Sequence, residues 1–380
     1  MHPFQLSYWE QKSFFSNIDL LVVGSGIVGL NAAWAFKKRQ PSANVLVIEK
    51  SFLPYGASTR NAGFACFGSL SELIEDKKTM GEKAMFDLVE KRIRGLDKLR
   101  KNLGDESIGY KHYGGYELFR KSDFPLYESC LNEMQYFNES LEKYTQQKST
   151  FEMKDASISH MGFAETEHML WNNAEGQIDT GMMMNSLLSA CRNSGIQILN
   201  GISIERFDGA QGRVSVLTDA GFEFSVKKLI ITTNAFAKDL LPELEVEPAR
   251  AQVLITAPIP NLNIKGCFHF DRGYYYFRNI DNRILFGGAR NSAFEDEATT
   301  YFGITQTIQH KLEHILAETI LPNTPFTIEN RWSGIMGLGP KKGPIVKAIS
   351  ANVFCAVRMS GMGVAIGSEI GEDVAKLASN

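Results

Sequence analysis

Several familiar signatures are missing from this chain of 380 residues, and each absence narrows what it can be. Cysteine is scarce. Cys66, Cys130, Cys191, Cys267 and Cys355 are odd in number, widely separated and never spaced as CxxC, so neither a disulfide framework nor a zinc site is expected and buried thiols are. His310 and His314 stand four apart on a predicted helix over 305–320, but Lys311 occupies the place where HExxH needs glutamate, and no metal is predicted there. Forty basic residues against forty-three acidic ones leave a net charge of −3, with no basic footprint for nucleic acid. No apolar run approaches the roughly 18 residues of a membrane span. The first residues lack a basic stretch followed by an apolar one, so no secretory leader is read and a cytoplasmic location is expected.

What is present is the composition of a globular enzyme, 44% hydrophobic and 22% charged, in a chain long enough for two intertwined domains. Residues 18–23 form a β-branched apolar run suited to a strand buried on both faces. A glycine-rich turn follows, then an apolar-faced helix over 27–39 that ends in Lys37, Lys38 and Arg39 before Pro41. Residues 44–48 supply a second strand, completing the β-turn-α-β unit of a parallel sheet. Residues 71–100 read as a charged surface helix pair and 127–144 as an amphipathic helix. From 250 to 286 the pattern becomes longer strands with Asp281–Asn282 as a hairpin turn, which predicts an antiparallel sheet. A closing helix covers 364–378. The Met182–Met184 triplet is read as core filling.

Gly24, Ser25, Gly26, Ile27, Val28 and Gly29 fit GxGxxG in the required place between strand and helix. Gly24 lets the chain turn, Gly26 lets backbone approach a pyrophosphate, and Gly29 lets helix and strand pack closely. The helix N-terminus then offers N–H groups and partial positive charge to phosphate. Glu49 ends the second strand twenty residues after Gly29, where a carboxylate accepts ribose hydroxyls and disfavours a 2′-phosphate; Lys50 follows it. This motif alone does not distinguish NAD from FAD.

The next segment does. Residues 56–64 (GASTRNAGF) contribute Ser58, Thr59, Arg60, Asn61, Gly63 and Phe64. Small and hydroxylated residues permit close contact with a diphosphate, Arg60 and Asn61 add charge and donors, and Ala62–Gly63 leave room for a flat ring. The segment resembles the GAS-x-RN-x-G loop of the D-amino-acid-oxidase-like FAD-dependent oxidoreductases, the superfamily of sarcosine oxidase, glycine oxidase and γ-glutamylputrescine oxidase. The resemblance runs in order over nearly the whole chain. It places Ile204 near the adenine, Thr233 and Asn234 at a turn near the cofactor, Tyr276–Arg278 with 285–288 as the hairpin over the flavin, and 331–334 (RWSG) after it. It also places Gly361, Met362, Gly363 and Val364 at a second helix N-terminus facing the flavin pyrimidine end. The fold it implies is α/β, α+β overall: a Rossmann-like FAD-binding domain from residues 17–108, 172–245 and 331–380, and a substrate domain with a large antiparallel sheet from 109–171 and 246–330.

Three departures shape the functional expectation. Members with covalent flavin carry cysteine after the RWxG motif; 335–344 has none, so FAD is expected to be non-covalent. Amino-acid oxidases carry a carboxylate-clamping arginine where Met336 stands, which turns the reading from simple α-amino acids toward an amine or N-substituted amino compound. The oxygen-activating lysine of sarcosine oxidase is missing from 284–288, leaving the electron acceptor, O₂ or another, open. The expected reaction is oxidation of a CH–NH bond of a small amine by hydride transfer to flavin N5, in which the protein mainly positions a neutral amine. Strand alternation puts Tyr274, Tyr276 and Arg278 on one face; Tyr276 and Arg278, with Trp332 nearby, are the expected catalytic residues. Equally, these aromatics could be sheet packing and Arg278 an ion-pair partner. His269 is a pocket candidate, though a structural histidine is the plainer reading. Two rival functions stay open, a non-catalytic flavoprotein or FAD subunit of a larger complex, and, less well supported by 56–64, an NAD-dependent dehydrogenase.

Overall fold

A computed structural model describes residues 5–210 and 212–380. The strand Ile18–Val23 is buried everywhere except Asp19 and runs parallel to both Val45–Glu49 and Glu223–Ile231. A strand covered on both faces can be apolar at successive positions, which is why the run lacks alternation. The full sheet runs in the order Ile345–Ala348, Val353–Val357, Glu223–Ile231, Ile18–Val23, Val45–Glu49, Gln197–Asn200, with Arg213–Thr218 and Ile204–Ala210 attached to Glu223–Ile231 as an antiparallel extension. The helices Ile27–Arg39, Thr180–Asn193 and Gly363–Ser379 cover one face. The other is covered by Phe15, Val214, Val216, Phe224 and Leu241.

Close approach of two helices sets the cofactor end of the molecule. A Cβ on Gly367 would lie 2.5 Å from Ile27 Cγ2, and one on Gly371 2.6 Å from Asn31 Cβ. Glycine at these two positions, one turn apart, therefore lets Gly363–Ser379 lie directly against Ile27–Arg39.

The second sheet runs in the order Ile328–Leu338, Glu247–Thr256, Arg283–Gly288, Tyr275–Ile280, Cys267–Phe270, Gly115–Phe119, His168–Asn172, Phe151–Met153. It is antiparallel as expected except between Cys267–Phe270 and Gly115–Phe119, which are parallel. Asp281 and Asn282 both adopt positive φ, the tight hairpin turn read from the sequence. Helix Gln306–Ile315 packs on one face of this sheet. Phe119, Phe151 and Leu170 meet helices Leu70–Met80, Glu82–Leu103 and Phe124–Thr145.

One segment falls differently from the expectation. Residues 331–338, read with the first domain, lie in Ile328–Leu338, which is hydrogen-bonded along Glu247–Thr256 in the second sheet. Their glycines suggest a loop, but Gly334 and Gly337 serve close approach instead. A Cβ there would come within 3.2 Å of Arg60 Cβ and 2.7 Å of Asn234 Oδ1.

Candidate active site

The two sheets enclose a cavity of about 850 Å³, in the upper part of the usual range of about 300–1,000 Å³ for small-molecule sites. At one end stands the glycine turn. Gly24 sits at φ +100, and a Cβ on Gly29 would lie 2.0 Å from Gly24 O and 2.6 Å from Thr232 Oγ1. Gly24, Gly26, Ile27 and Val28 face the cavity. Ser25 and Gly29 do not; Ser25 is buried and gives both its N–H and its hydroxyl to Glu49 Oε2, at 3.1 and 2.9 Å. Glu49 and Lys50 continue the wall, with Ile204 beside them.

The loop 56–64 forms the adjoining wall and is held by its own polar side chains. Ser58 Oγ accepts the Ile27 N–H at 2.9 Å. Thr59 caps Pro54 O and lies outside the lining. Asn61 Nδ2 donates to Ala57 O and Ser58 O, while its Oδ1 accepts from Gly63 N and Thr180 Oγ1. Asn61 thus shapes the loop as much as it offers donors. Arg60 donates to Ser333 O at 2.8 Å and lies over the Tyr55 ring at 3.8 Å. Ser58, Arg60, Asn61, Gly63 and Phe64 all reach the cavity, as do Thr233, Asn234, Gly361, Met362, Gly363 and Val364 from the far side. Neither Gly26 nor Met362, which open the two helices, caps them with a side chain; the Ile27 N–H is taken by Ser58 Oγ, and the other first-turn N–H groups of both helices have no side-chain acceptor among the described residues.

The three expected catalytic residues separate. Tyr276 lines the cavity, its ring 5.8 Å from Phe64, and burial pushes its phenol up to about 12. Arg278 does not line it. The guanidinium is buried below the loop, donating through Nη1 to Ile178 O at 2.6 Å and Gly63 O at 2.9 Å, and burial lowers its pKa. Trp332 is also outside the lining and donates its indole N–H to Arg60 O. Arg278 and Trp332 are thereby placed to hold the loop 60–63, not to touch a ligand in the cavity.

Several wall residues carried no sequence signal. Glu72, Glu75, Asp76 and Thr79 enter from helix Leu70–Met80, Arg272 and Arg290 from the ends of the second sheet's hairpins, and Lys342 from the loop after 338. Helical spacing puts 72, 75, 76 and 79 on one face, which was legible as a face but not as a wall. Met336, at the position where an arginine was looked for, does reach the cavity. His269 lines it too, edge-on to Phe64 at 5.1 Å, and burial lowers its pKa against the pull of Glu72. His310 and His314 are exposed on their helix.

A glycine turn after the central strand, an acid closing the next strand and a second free helix N-terminus opening on one cavity define a dinucleotide-dependent enzyme. A family model described as FAD dependent oxidoreductase matches residues 19–377, and the chain belongs to that family. The probable oxidoreductase OrdL of Haemophilus influenzae is 24% identical over 373 residues, covering 94% of this chain and 82% of that one. The bifunctional protein ThiO/ThiG of Synechocystis is 26% identical over 241 residues, covering 62% of this chain and 32% of that longer one. Among solved structures, L-proline dehydrogenase from P. horikoshii superposes with a TM-score of 0.75 at 19% identity, covering 95% of this chain and 93% of the other. Glycine oxidase from Geobacillus kaustophilus does so with 0.75 at 17%, covering 94% of each. Both share the fold.

The protein is an FAD-dependent oxidoreductase, and its residues fit that cofactor. Gly24 and Gly26 open on the cavity with no side chain of their own, and the buried hydroxyls of Thr233 and Ser360 line it with no partner among the described residues. Glu49 would offer acceptors to ribose hydroxyls, and the helix starting at Gly363 would offer N–H groups to the cofactor. No helix among the described residues is long and apolar enough to cross a membrane.

Proposed function

We propose that the enzyme oxidises the CH–NH bond of a small amine or N-substituted amino compound, with FAD held non-covalently. FAD, when bound, supplies a two-electron acceptor for the hydride on the carbon next to nitrogen. The observation that carries the reading is the continuity of the cavity. One space runs from the glycine turn and Glu49, past Phe64, to a wall of Tyr276, His269 and Met336. The protein's part is to bind, orient and dry the substrate against that wall. Tyr276 offers a neutral phenol, since burial holds its proton on, and Phe64 and Met336 offer apolar surface. The solved structures it resembles include ones named for L-proline, glycine and iminodiacetate, all amino compounds.

Two features support non-covalent attachment. No cysteine follows in 335–344. Cys66, the cysteine on the cavity wall, has its thiol pushed well up by burial and by Cys267 beside it, and a protonated thiol is a poor nucleophile. The test is anaerobic mixing of the yellow holoenzyme with a panel of primary, secondary and N-substituted amino compounds, following absorbance near ~450 nm, where oxidised flavin absorbs. Bleaching by one class identifies the substrate type. If none bleaches it while dithionite does, the amine reading is wrong. Acid precipitation should release the flavin into the supernatant.

A further inference from the structure

Behind the cavity wall lies a second, much smaller space of about 10 Å³, lined by Ser69, Gly115, Glu117, Asn172, Glu175 and His269 among others. Its volume is at the lower limit for one water molecule, about 10–15 Å³. His269 lines both spaces, so its imidazole stands in the partition between them. Its Nε2 is buried and has no hydrogen-bond partner among the described residues. A ring nitrogen of His269, the Cys66 sulfur and a Glu175 carboxylate oxygen lie within 4.8 Å of one another. Glu117 faces His269 from the adjoining strand at the same register.

Both carboxyls are fully buried, and neither has a cation in direct contact. Glu175 Oε1 accepts the N–H groups of Phe67 and Gly68, at 2.8 and 3.0 Å. Glu117 accepts the N–H of Ser71 at 3.2 Å and also its hydroxyl. Burial pushes each of them up to about 7, against these hydrogen bonds. The other groups around the partition are Glu72 from helix Leu70–Met80, Tyr276 from the neighbouring strand, Cys267 on the histidine's own strand, and Arg92, which acts on Glu175 from a distance while donating to Phe67 O. Two buried carboxyls without a cation beside them, set around a histidine on the substrate wall, are an arrangement for taking a proton in.

We propose that His269, Glu175 and Glu117 form a proton relay that removes the proton from a cationic amine substrate before its oxidation. This rests on the amine reading above. Free amines are mostly protonated at pH 7, and an ammonium cannot release hydride from its carbon because its nitrogen has no lone pair to share. In the relay the N–H bond breaks and its electron pair stays on nitrogen. The proton goes to an imidazole nitrogen of His269, and the imidazole gives a proton to Glu175 or Glu117, directly or through one water, leaving a neutral carboxylic acid. No electron acceptor is involved. Since burial disfavours the imidazolium, the histidine passes charge on instead of keeping it, and the carboxylates are where the proton rests.

The test uses the holoenzyme and has two arms. In the first, infrared spectra are recorded across pH 5–9 on wild type, Glu117→Gln and Glu175→Gln. Wild type should lose protonated-carboxyl absorption as pH passes about 7, the value to which burial raises both groups, and each variant should lose part of that signal. If wild type shows no buried carboxyl titrating near neutrality, the relay is wrong whatever the substrate. In the second, anaerobic flavin reduction by the best amine is timed for wild type and His269→Gln. Wild type should speed up as pH rises through ~7, and the variant should be slower at pH 7 by about 10²-fold, the low end for lost proton transfer. A fluorinated analogue of the same amine, neutral at pH 7, should bring the variant within about threefold of wild type, because no proton then needs removing. A variant equally slow with both amines has lost packing, not a relay, and overturns the proposal while leaving amine oxidation standing. If no amine reduces the wild-type flavin, the functional reading fails and the relay with it.

Discussion

Replacing Arg278 by methionine separates holding the cofactor loop from chemistry on the substrate. Nη1 of Arg278 serves two carbonyls, Ile178 O at 2.6 Å and Gly63 O at 2.9 Å. Without it Gly63 O keeps the Ile178 N–H at 2.8 Å, but Ile178 O has no other donor among the described residues. One orphaned buried carbonyl costs about 1–3 kcal/mol. Against this, the variant no longer buries a guanidinium whose Nε is itself unpartnered, and removing a poorly satisfied buried charge is favourable. The balance is a loss of about 2 kcal/mol, concentrated where Gly63 meets the strand Gly176–Gln177 and the residue after it.

That loss falls on the loop lining the cavity, so it is felt when FAD binds. About 2 kcal/mol corresponds to a Kd raised about 30-fold. The assay titrates FAD into apoprotein by quenching of flavin fluorescence, then measures anaerobic reduction at saturating FAD. The rate constant for reduction should change by less than about threefold, since uniform binding is what was lost. An unchanged Kd with reduction slowed about 100-fold would refute the reasoning, because Arg278 would then act on the substrate as the sequence alone suggested.

Gly29→Ala places a Cβ 2.0 Å from a backbone oxygen, whereas at Gly26 the nearest atom is a side-chain oxygen, Ser58 Oγ, at 2.9 Å. Gly29→Ala should therefore yield little folded protein, with a cost above about 3 kcal/mol. Gly26→Ala should fold but retain less flavin, as purified flavin content and urea melts will reveal; a stable, yellow Gly29→Ala would contradict the packing argument. Glu297 is 1% exposed and takes Arg250 at 2.8 Å, with Gln252 at 2.8 Å. Arg250→Met should cost about 3–5 kcal/mol by stranding that carboxylate, while Asp87→Asn, which breaks an exposed pair with Lys83, should cost under about 0.5 kcal/mol; equal effects in urea unfolding would sink the distinction. Glu117 has a folded pKa of about 7 against an ordinary 4.5. Between those values the folded state binds more protons, so stability falls as pH rises through that window. Glu117→Gln removes this group's share of the dependence, leaving that of Glu175, and should be the more stable protein at pH 8, by up to about 3 kcal/mol. Melts at pH 5 and pH 8 compare the two directly, and a variant less stable at both would mean the carboxylate is paired after all.

How far the site could be read from sequence depended on whether its residues are consecutive. Gly24–Gly29, Glu49 and 56–64 each lie within one strand, turn or loop and were legible from local spacing and residue type; 361–364 were placed by the family resemblance alone. Ser25, Gly29 and Thr59 belong to the same motifs but serve beneath the surface, as the neighbours' clamps, because a tight turn needs buried partners as well as exposed N–H groups. The substrate end is different. It collects residues from helix Leu70–Met80, five strands of the second sheet and the loop bearing Lys342, and no spacing along the chain encodes that meeting.

Arg278 marks the limit of reasoning from alternation. Period two correctly put Tyr274 and Tyr276 on the face toward the cavity, and both line it. Arg278 continues the same face by two more residues, roughly 7 Å along the strand, and there the cofactor loop and Ile178 cross over it. Alternation tells which way a side chain leaves a sheet; how far along the strand the space remains open is decided by what packs on top. In 331–338, assigned from sequence to the first domain, the glycines let a strand of the second sheet pass close to Arg60 and Asn234. Strand, loop and strand are thus stacked in contact. A side chain added at Gly334 would push on Arg60, the residue whose carbonyl Trp332 holds from two positions earlier on the same strand, and the loop it moved would be the one that Arg278 also holds.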